Sequence, residues 1–291
     1  MRRLLLHFAG ILLNKHFMLN FVDRGLVVDR AVFIPSIAFL LSTVVIVLLF
    51  PDASDAALGM LQAAIVENAS WFYGIVMAIL LVVSLVLALS HVGTIRLGHD
   101  NSTPEYSLFS WLSMLFAAGV GIGLMFYGVA EPVVHYLRPP VGESAAMGGE
   151  NRAVNLTMLH WGFNAWSVYA LMALVLAYFS FRRGLPLTLR SAFYPILGDR
   201  IYGPAGAAID VFAIVCTTFG ISTSLGLGVE QLSTGLNYLF GLPESGGIKL
   251  AITIGIMAMA AVSVALGLDS GIKRLSEINS FLAIALLCFV L

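Results

Sequence analysis

Runs of about 20 apolar residues recur along this chain, and few folds can accommodate them. Only 11% of the 291 residues are charged, and the mean hydropathy is +0.96, whereas soluble domains carry about 25% charged residues. In the hydrocarbon part of a bilayer no water is available to backbone N–H and C=O groups, so an apolar run of this length must be a helix there. We therefore predict an all-α polytopic membrane protein with the lipid bilayer as its environment.

Hydropathy predicts seven spans. They lie at about 31–50, 70–90, 109–130, 153–180, 207–240, 248–268 and 277–291. We expect residues 1–30 to form a cytoplasmic or interfacial segment and residues 31–291 to form one transmembrane domain. The last predicted span reaches the final residue without a polar tail, which predicts a chain cut within a helix.

The distribution of positive charge tests this topology independently of hydropathy. If the N-terminus is cytoplasmic, the outer loops hold only Arg138, Arg152 and Lys249, and the cytoplasmic segments hold the other twelve of the fifteen Lys and Arg residues. Cytoplasmic loops carry an excess of Lys and Arg, so the asymmetry supports seven spans with the N-terminus inside. The net charge of −1 and the lack of a basic run give no reason to expect a nucleic-acid partner.

Three aromatic residues cluster in the fourth predicted span. On an ideal helix Trp161, Trp166 and Tyr169 point at about 0°, 140° and 80°, so their rings share one broad arc. A quaternary ammonium group has no N–H to donate, and aromatic faces attract it by about 2 kcal/mol each when desolvated. Single Trp and Tyr residues are common in interfacial belts, but a mid-span cluster favours a cation cage.

The third predicted span contains Gly119, Gly121 and Gly123. Each glycine weakens a helix by about 1 kcal/mol relative to alanine, so a continuous helix is not expected here. A broken helix at membrane depth can line a cavity and bind substrate through freed backbone groups. Gly119 and Gly123 also form a GxxxG face for close helix packing, which leaves Gly121 unexplained. Both interpretations remain open.

A second irregular region is predicted in the fifth span, at residues 216–228, where hydroxyl side chains are dense. Thr218 and Ser222 are four residues apart, so they share a helix face and could offer oxygen atoms to a cation or a proton path. Hydroxyls in helices often bond to the carbonyl four residues earlier instead, and this alternative stays open.

Ionisable residues inside a span are functional candidates by default. Glu230 and His160 are the candidates to carry a proton, whereas Asp210 and Glu131 lie nearer to predicted ends, where we expect solvated caps. Only His160 is placed where a haem ligand could lie, and no Ser-His or His-Glu-x-x-His motif occurs. We expect a protein that is not an enzyme and that has no cofactor or metal.

Three segments of the sequence resemble the betaine/choline/carnitine transporter (BCCT) family: 114–132, 160–171 and 218–228. The resemblance implies a LeuT-like fold, in which two N-terminal helices precede two inverted five-helix repeats that alternate access to a midplane site. It implies that the chain covers the two leading helices and the first repeat, in a protein of the bacterial inner membrane that can form homotrimers. The resemblance also implies that Trp161, Trp166 and Tyr169 correspond to the family's aromatic box. It implies that Gly119, Gly121 and Gly123 correspond to the family's glycine stretch at the substrate site.

Two departures from the family pattern bear on the coupling ion. Where sodium-coupled betaine carriers have two threonines four residues apart, this chain has Thr217 and Ile221, and the methionine of their glycine stretch is Val120 here. Both departures resemble the proton-coupled choline carriers. Choline is a cation, so an inside-negative potential favours its import by about 2.3 kcal/mol per 100 mV without sodium. The predicted function is choline import, and the alternatives are a sodium-coupled glycine betaine or carnitine carrier and a non-functional fragment.

Overall fold

The computed structural model describes residues 29–140 and 149–290, which form helices and connecting turns without a strand among them. We number the α-helices as α1 (Arg30–Leu49), α2 (Pro51–Leu89), α3 (Leu108–Ile122), α4 (Gly128–Leu137), α5 (Gly149–Leu159), α6 (Ala165–Ala177), α7 (Tyr194–Leu197), α8 (Pro204–Phe240), α9 (Gly246–Ala265) and α10 (Lys273–Val290). The all-α prediction is confirmed for these ranges. The predicted N-terminal segment 1–30 lies outside them except for its last two residues.

Five helical segments are long and apolar enough to cross a bilayer: α1, α2, Gly149–Arg182, α8 and α9. The other two predicted spans are helical as well. In the third, the short apolar stretch is Leu108–Ala117, and the seventh is α10, whose first turns contain Lys273, Arg274 and Glu277. A polytopic membrane protein is therefore confirmed, whereas the count of seven spans stays a prediction.

Helix α2 begins at Pro51, well before the predicted start at residue 70. Proline is favoured in the first turn of a helix, where its missing N–H costs nothing, and Asp52 complements the helix dipole there. Hydropathy located only the apolar half of α2, because the acidic residues of its first half lower the hydropathy without opposing helix formation.

The helices contact one another through small polar residues and turn their large apolar residues outward. Helix α2 has no buried residue at all, and Trp71 in it is 67% exposed. Serine dominates the buried polar positions of the described residues: Ser36, Ser110, Ser113, Ser167, Ser191, Ser233, Ser276 and Ser280. In lipid, small side chains let helices approach closely, while apolar side chains gain nothing by leaving the hydrocarbon. The arrangement is that of a protein whose solvent is lipid.

The helix contacts place α3 and α4 at the centre of the site described below. Helix α1 packs on α8, α2 on α6, α3 on α10 and α4 on α5, and α3 also contacts α8. The connected pair α3–α4 thus lies between the α5–α6 segment and the pair α8 and α10.

Ion pairs join neighbouring segments, two of which are a loop and the interior of α8. Arg182 pairs with Asp100 at 2.6 Å on the predicted cytoplasmic side, and Lys249 pairs with Glu230 at 2.6 Å on the predicted outer side. Each pair links segments that the seven-span topology places together. Which side is cytoplasmic stays a prediction of the Lys and Arg distribution.

Asp210 forms a buried ion pair, so the prediction that it is a solvated cap was wrong. It is 5% exposed, and its Oδ2 accepts a hydrogen bond from Arg190 Nε at 2.6 Å. Arg190 also donates to the exposed Asp29 at 3.2 Å. Burial alone would lower the pKa of Arg190, but the two carboxylates raise it above its ordinary value. The turn Leu189–Phe193 folds over the start of α8 and covers this pair, which spacing along α8 could not reveal.

We expect Arg190→Met to lower the free energy of unfolding by about 3 kcal/mol, because it leaves the Asp210 carboxylate buried without its cation. Asp29→Asn is the matched control: its carboxylate contacts the same guanidinium from an exposed position, so its loss should cost less than about 1 kcal/mol. Denaturant titration of the purified chain in detergent measures both variants. An equal loss of unfolding free energy in the two variants would contradict the assignment of Arg190–Asp210 as the stabilising pair.

Candidate functional site

The glycines of the third predicted span led us to expect an interrupted helix, and the structure has a π-helical turn there within a segment that stays helical. Helix α3 ends at Ile122, a π-helical turn occupies Gly123–Tyr127, and α4 begins at Gly128. Such turns occur frequently at functional sites, because they interrupt the regular pattern of backbone hydrogen bonds. Gln231 of α8 donates its side-chain amide to the carbonyl of Met125 at 2.8 Å. The π-helical turn is therefore bonded to α8.

The glycine face of α3 is in contact with two tryptophan rings. A Cβ atom added at Gly119 would overlap the Trp166 ring, and one added at Gly123 would lie 2.8 Å from Trp161 Cζ3. At Gly121 nothing lies within 4 Å of such an atom. Gly119 and Gly123 thus form a packing face, but the partners are indole rings instead of another helix backbone, and Gly121 borders open space.

The helix that bears the tryptophans is not continuous between them. A π-helical turn occupies His160–Asn164, and Gly162 within it has φ −79° and ψ −147°, outside the helical region. The 100° spacing used to place Trp161, Trp166 and Tyr169 on one arc therefore does not apply. The break lies between the two indoles, and each of them reaches α3 from its own side of it.

The rings form two groups, one on each side of the break. The ring centroids of Trp166 and Tyr169 are 5.6 Å apart, and those of Trp161 and Tyr127 are 5.9 Å apart. His160 lies beside Trp161 at 5.0 Å. Trp166 remains 39% exposed and Tyr169 58% exposed, so neither ring is fully covered by the described residues. Tyr127 was not among the predicted site residues, although it lies one helical turn beyond Gly123.

Glu131 lies in this site and is only 9% exposed, so its prediction as a solvated cap was wrong. Trp161 Nε1 donates to its Oε2 at 2.6 Å, and His160 Nδ1 lies 2.8 Å from its Oε1. His135 Nε2 lies 3.3 Å from the same Oε1. Hydropathy places Glu131 just after a span, but His160 and Trp161 of the turn at 160–164 contact its carboxylate.

A cleft of about 510 Å³ adjoins the carboxylate. Its lining comes from α2, α4 and the α5–α6 segment and comprises Gly74, Met77, Ala78, Glu131, His135, Leu156, Leu159, His160 and Asn164. Among the described residues, no trio of His, Cys, Asp or Glu is arranged to hold a metal ion. His135, His160 and Trp161 are therefore grouped around the Glu131 carboxylate by hydrogen bonds, at the edge of an open cleft.

The irregular region predicted at 216–228 is absent, because α8 is continuous from Pro204 to Phe240. Thr218 Oγ1 donates to the carbonyl of Ile214 at 2.8 Å, and Thr223 Oγ1 donates to that of Phe219 at 3.0 Å. These bonds to the carbonyl four residues earlier are compatible with the helix, so dense hydroxyls did not break it.

The five predicted coupling residues lie in four different places. Thr217 and Thr218 line a second cleft, of about 620 Å³, next to the Arg190 network. Ser222 is exposed. Glu230 accepts two hydrogen bonds from Lys249 at 2.6 and 2.7 Å and stays 57% exposed. Of the five candidates, only His160 contacts the aromatic site.

Comparison with known proteins matches residues 31–291 to the model of the betaine/carnitine/choline family transporters (BCCT). The chain belongs to this family. It is 48% identical over 263 residues to a glycine betaine transporter of Acinetobacter baylyi, with 90% of this chain and 40% of that protein covered. It is 43% identical to a high-affinity choline transport protein of Escherichia coli (91% and 39% covered) and 43% identical to a glycine betaine/proline/choline transporter of Vibrio parahaemolyticus (92% and 51% covered).

Membership of the BCCT family makes the chain part of a family of transporters, not of enzymes, and a multi-pass membrane protein. The chain spans about two fifths to one half of the length of these relatives. The matched range contains the glycine face, both indoles and Glu131. The predicted resemblance to the family is confirmed, whereas the role of each site residue stays a prediction.

We expect Gly119→Ala to displace the Trp166 ring, because the added methyl group would overlap it. Gly121→Ala is the matched control: it adds the same methyl group to the same helix, but into open space, and should change the folded state little. Tryptophan emission and thermal stability in detergent measure both variants. A shifted emission and a lower midpoint for Gly119→Ala alone are expected, and equal behaviour of the two would contradict the packing described here.

Proposed function

We propose that this chain forms the substrate-binding part of a carrier that imports choline across the bacterial inner membrane. Its N-terminus lies in the cytoplasm, and its helices form two leading spans and the first repeat of a LeuT-like fold. Trp161, Trp166 and Tyr169 bind the trimethylammonium group, and the glycine stretch provides the wall against which the indoles are held. The carrier works by alternating access and performs no covalent chemistry.

One observation carries this proposal: two indoles lie on a glycine face next to a helix break. A cation without N–H groups must be bound by electron-rich ring faces, and rings that lie against a backbone are held in place for that task. Broken helices at membrane depth occur where they line a cavity. Gly121 points away from the face that the indoles cover and borders open space, so the ligand site is assigned to the rings and the break at Gly162 alone.

The charge of the site supports choline over glycine betaine. Glu131 is the acidic residue of the cleft, which the three cage rings do not line, and it reaches the cage through its hydrogen bond with Trp161; no Lys or Arg occurs among the residues that line the cleft. Glycine betaine carries a carboxylate, which would need a cationic partner when removed from water, whereas choline carries a hydroxyl group. Relatives named for each substrate resemble the chain at similar identity, so the argument rests on this charge and on the two family departures.

Import is driven by the membrane potential or by a proton, with His160 as the proton candidate nearest the rings. Position 221 is isoleucine, which has no oxygen to give to sodium, and the Thr218 hydroxyl is bonded to a backbone carbonyl. A potential of 100 mV already favours choline accumulation by about 2.3 kcal/mol.

Uptake of radiolabelled choline in cells that express the complete gene tests the cage. We expect Trp166→Ala to weaken uptake at least about tenfold, since one desolvated cation–π contact is worth about 2 kcal/mol. Trp111→Ala is the control: Trp111 lies on α3 two turns before Gly119 and is 49% exposed. If uptake is unchanged in Trp166→Ala at an equal protein level in the membrane, the aromatic cage does not bind the substrate.

Replacing sodium by potassium in the uptake medium tests the driving force. We expect choline uptake to persist without sodium and to collapse when the membrane potential and the proton gradient are both dissipated. A requirement for sodium would favour the alternative of a sodium-coupled betaine or carnitine carrier. It would also show that the isoleucine at position 221 does not exclude sodium coupling.

A further inference from the structure

We infer that Glu131 is a positioning and specificity-determining residue of the cage. Its carboxylate holds Trp161 in place and adds a negative charge that favours a substrate with net positive charge over a zwitterion. This inference rests on the proposed function and specifies which substrates the same site prefers.

Three N–H groups converge on the Glu131 carboxylate. The distances are 2.6 Å from Trp161 Nε1 to Oε2, 2.8 Å from His160 Nδ1 to Oε1 and 3.3 Å from His135 Nε2 to Oε1. An ionised carboxylate can only accept hydrogen bonds, so each facing nitrogen is the donor. Hydrogen bonds to a charged acceptor are shorter and stronger than neutral ones, and the two shortest distances have this character.

The Trp161 indole is held at both ends. Its pyrrole N–H is bonded to Glu131, its six-membered ring lies on Gly123, and Tyr127 lies beside it with an interplanar angle of 36°. Rotation of the ring would break the hydrogen bond and move the indole off the glycine. Glu131 therefore acts on the ligand through Trp161, as a positioning residue.

The charge of Glu131 acts on the ligand as well. A cation bound over an indole face lies within about 6 Å of the ring centroid, and the carboxylate lies at the edge of the same ring. The walls that α2 and α5 contribute to the cleft are apolar, namely Gly74, Met77, Ala78, Leu156 and Leu159, and the other titratable groups facing it are His135 and His160. The field therefore attracts choline, whereas it attracts one end of glycine betaine and repels the other.

The test is equilibrium binding of choline and glycine betaine to the complete protein in membrane vesicles at one pH and without gradients. We expect Glu131→Gln to weaken choline binding about tenfold and glycine betaine binding about threefold or less, because the amide can still accept from Trp161 but has lost the charge. The ratio of the two dissociation constants should shift toward betaine. Trp161→Phe is the matched control: it keeps a ring and the charge but removes the donor, so both ligands should weaken alike.

Glu131→Asp provides a second measurement if Glu131→Gln does not reach the membrane. It keeps the charge but shortens the side chain by one methylene, so both affinities should fall while their ratio stays unchanged. A ratio unchanged in Glu131→Gln, or shifted toward betaine in Glu131→Asp, would overturn the role of Glu131. Wild-type protein that binds neither compound would overturn the proposed function itself, which distinguishes the two failures.

Discussion

The close approach of two indole rings to a bare stretch of helix backbone determines the geometry of the site. Trp166 lies on Gly119 and Trp161 lies on Gly123, at distances that no residue with a side chain would allow. Because these contacts fix the spacing between α3 and the α5–α6 segment, the helix breaks on both sides face each other. In a bilayer, where burial of apolar surface does not drive helices together, close contact of this kind is a main source of attraction.

The same contacts bring a buried carboxylate and its donors together. A carboxylate removed from water is costly unless it is fully hydrogen-bonded, and Glu131 is bonded on both oxygens. Its donors come from α4 and from the turn before α6, so the cluster joins the two broken helices through charge as well as through packing. If any one donor were removed, the buried charge would be less well hydrogen-bonded and the folded state less stable. The position of the Trp161 ring therefore depends on that of the Glu131 carboxylate.

The sequence was sufficient to predict the helical class, the membrane environment, an irregularity in the third span and the family, because each depends on local composition or on a long local motif. It was insufficient for Glu131 and Asp210, whose burial is created by partners 29 and 20 residues away. It also failed for the fifth span, where the Thr218 hydroxyl bonds back to Ile214 and the helix stays intact. Gly162 gave a visible signal of a break, but the assumption of an ideal helix through the tryptophans concealed it.

Helix α8 connects the Arg190–Asp210 ion pair with the π-helical turn of the site. Asp210, near its start, holds Arg190, and Gln231, 21 residues later, holds the carbonyl of Met125 in the π-helical turn. At 1.5 Å per residue these points are about 30 Å apart, roughly the thickness of the hydrocarbon layer. Helix α8 is α-helical over this whole length, whereas α3 is followed by a π-helical turn. The continuity of α8, contrary to the sequence-based expectation, therefore lets one helix hold Arg190 near its start and the π-helical turn of the site 21 residues later.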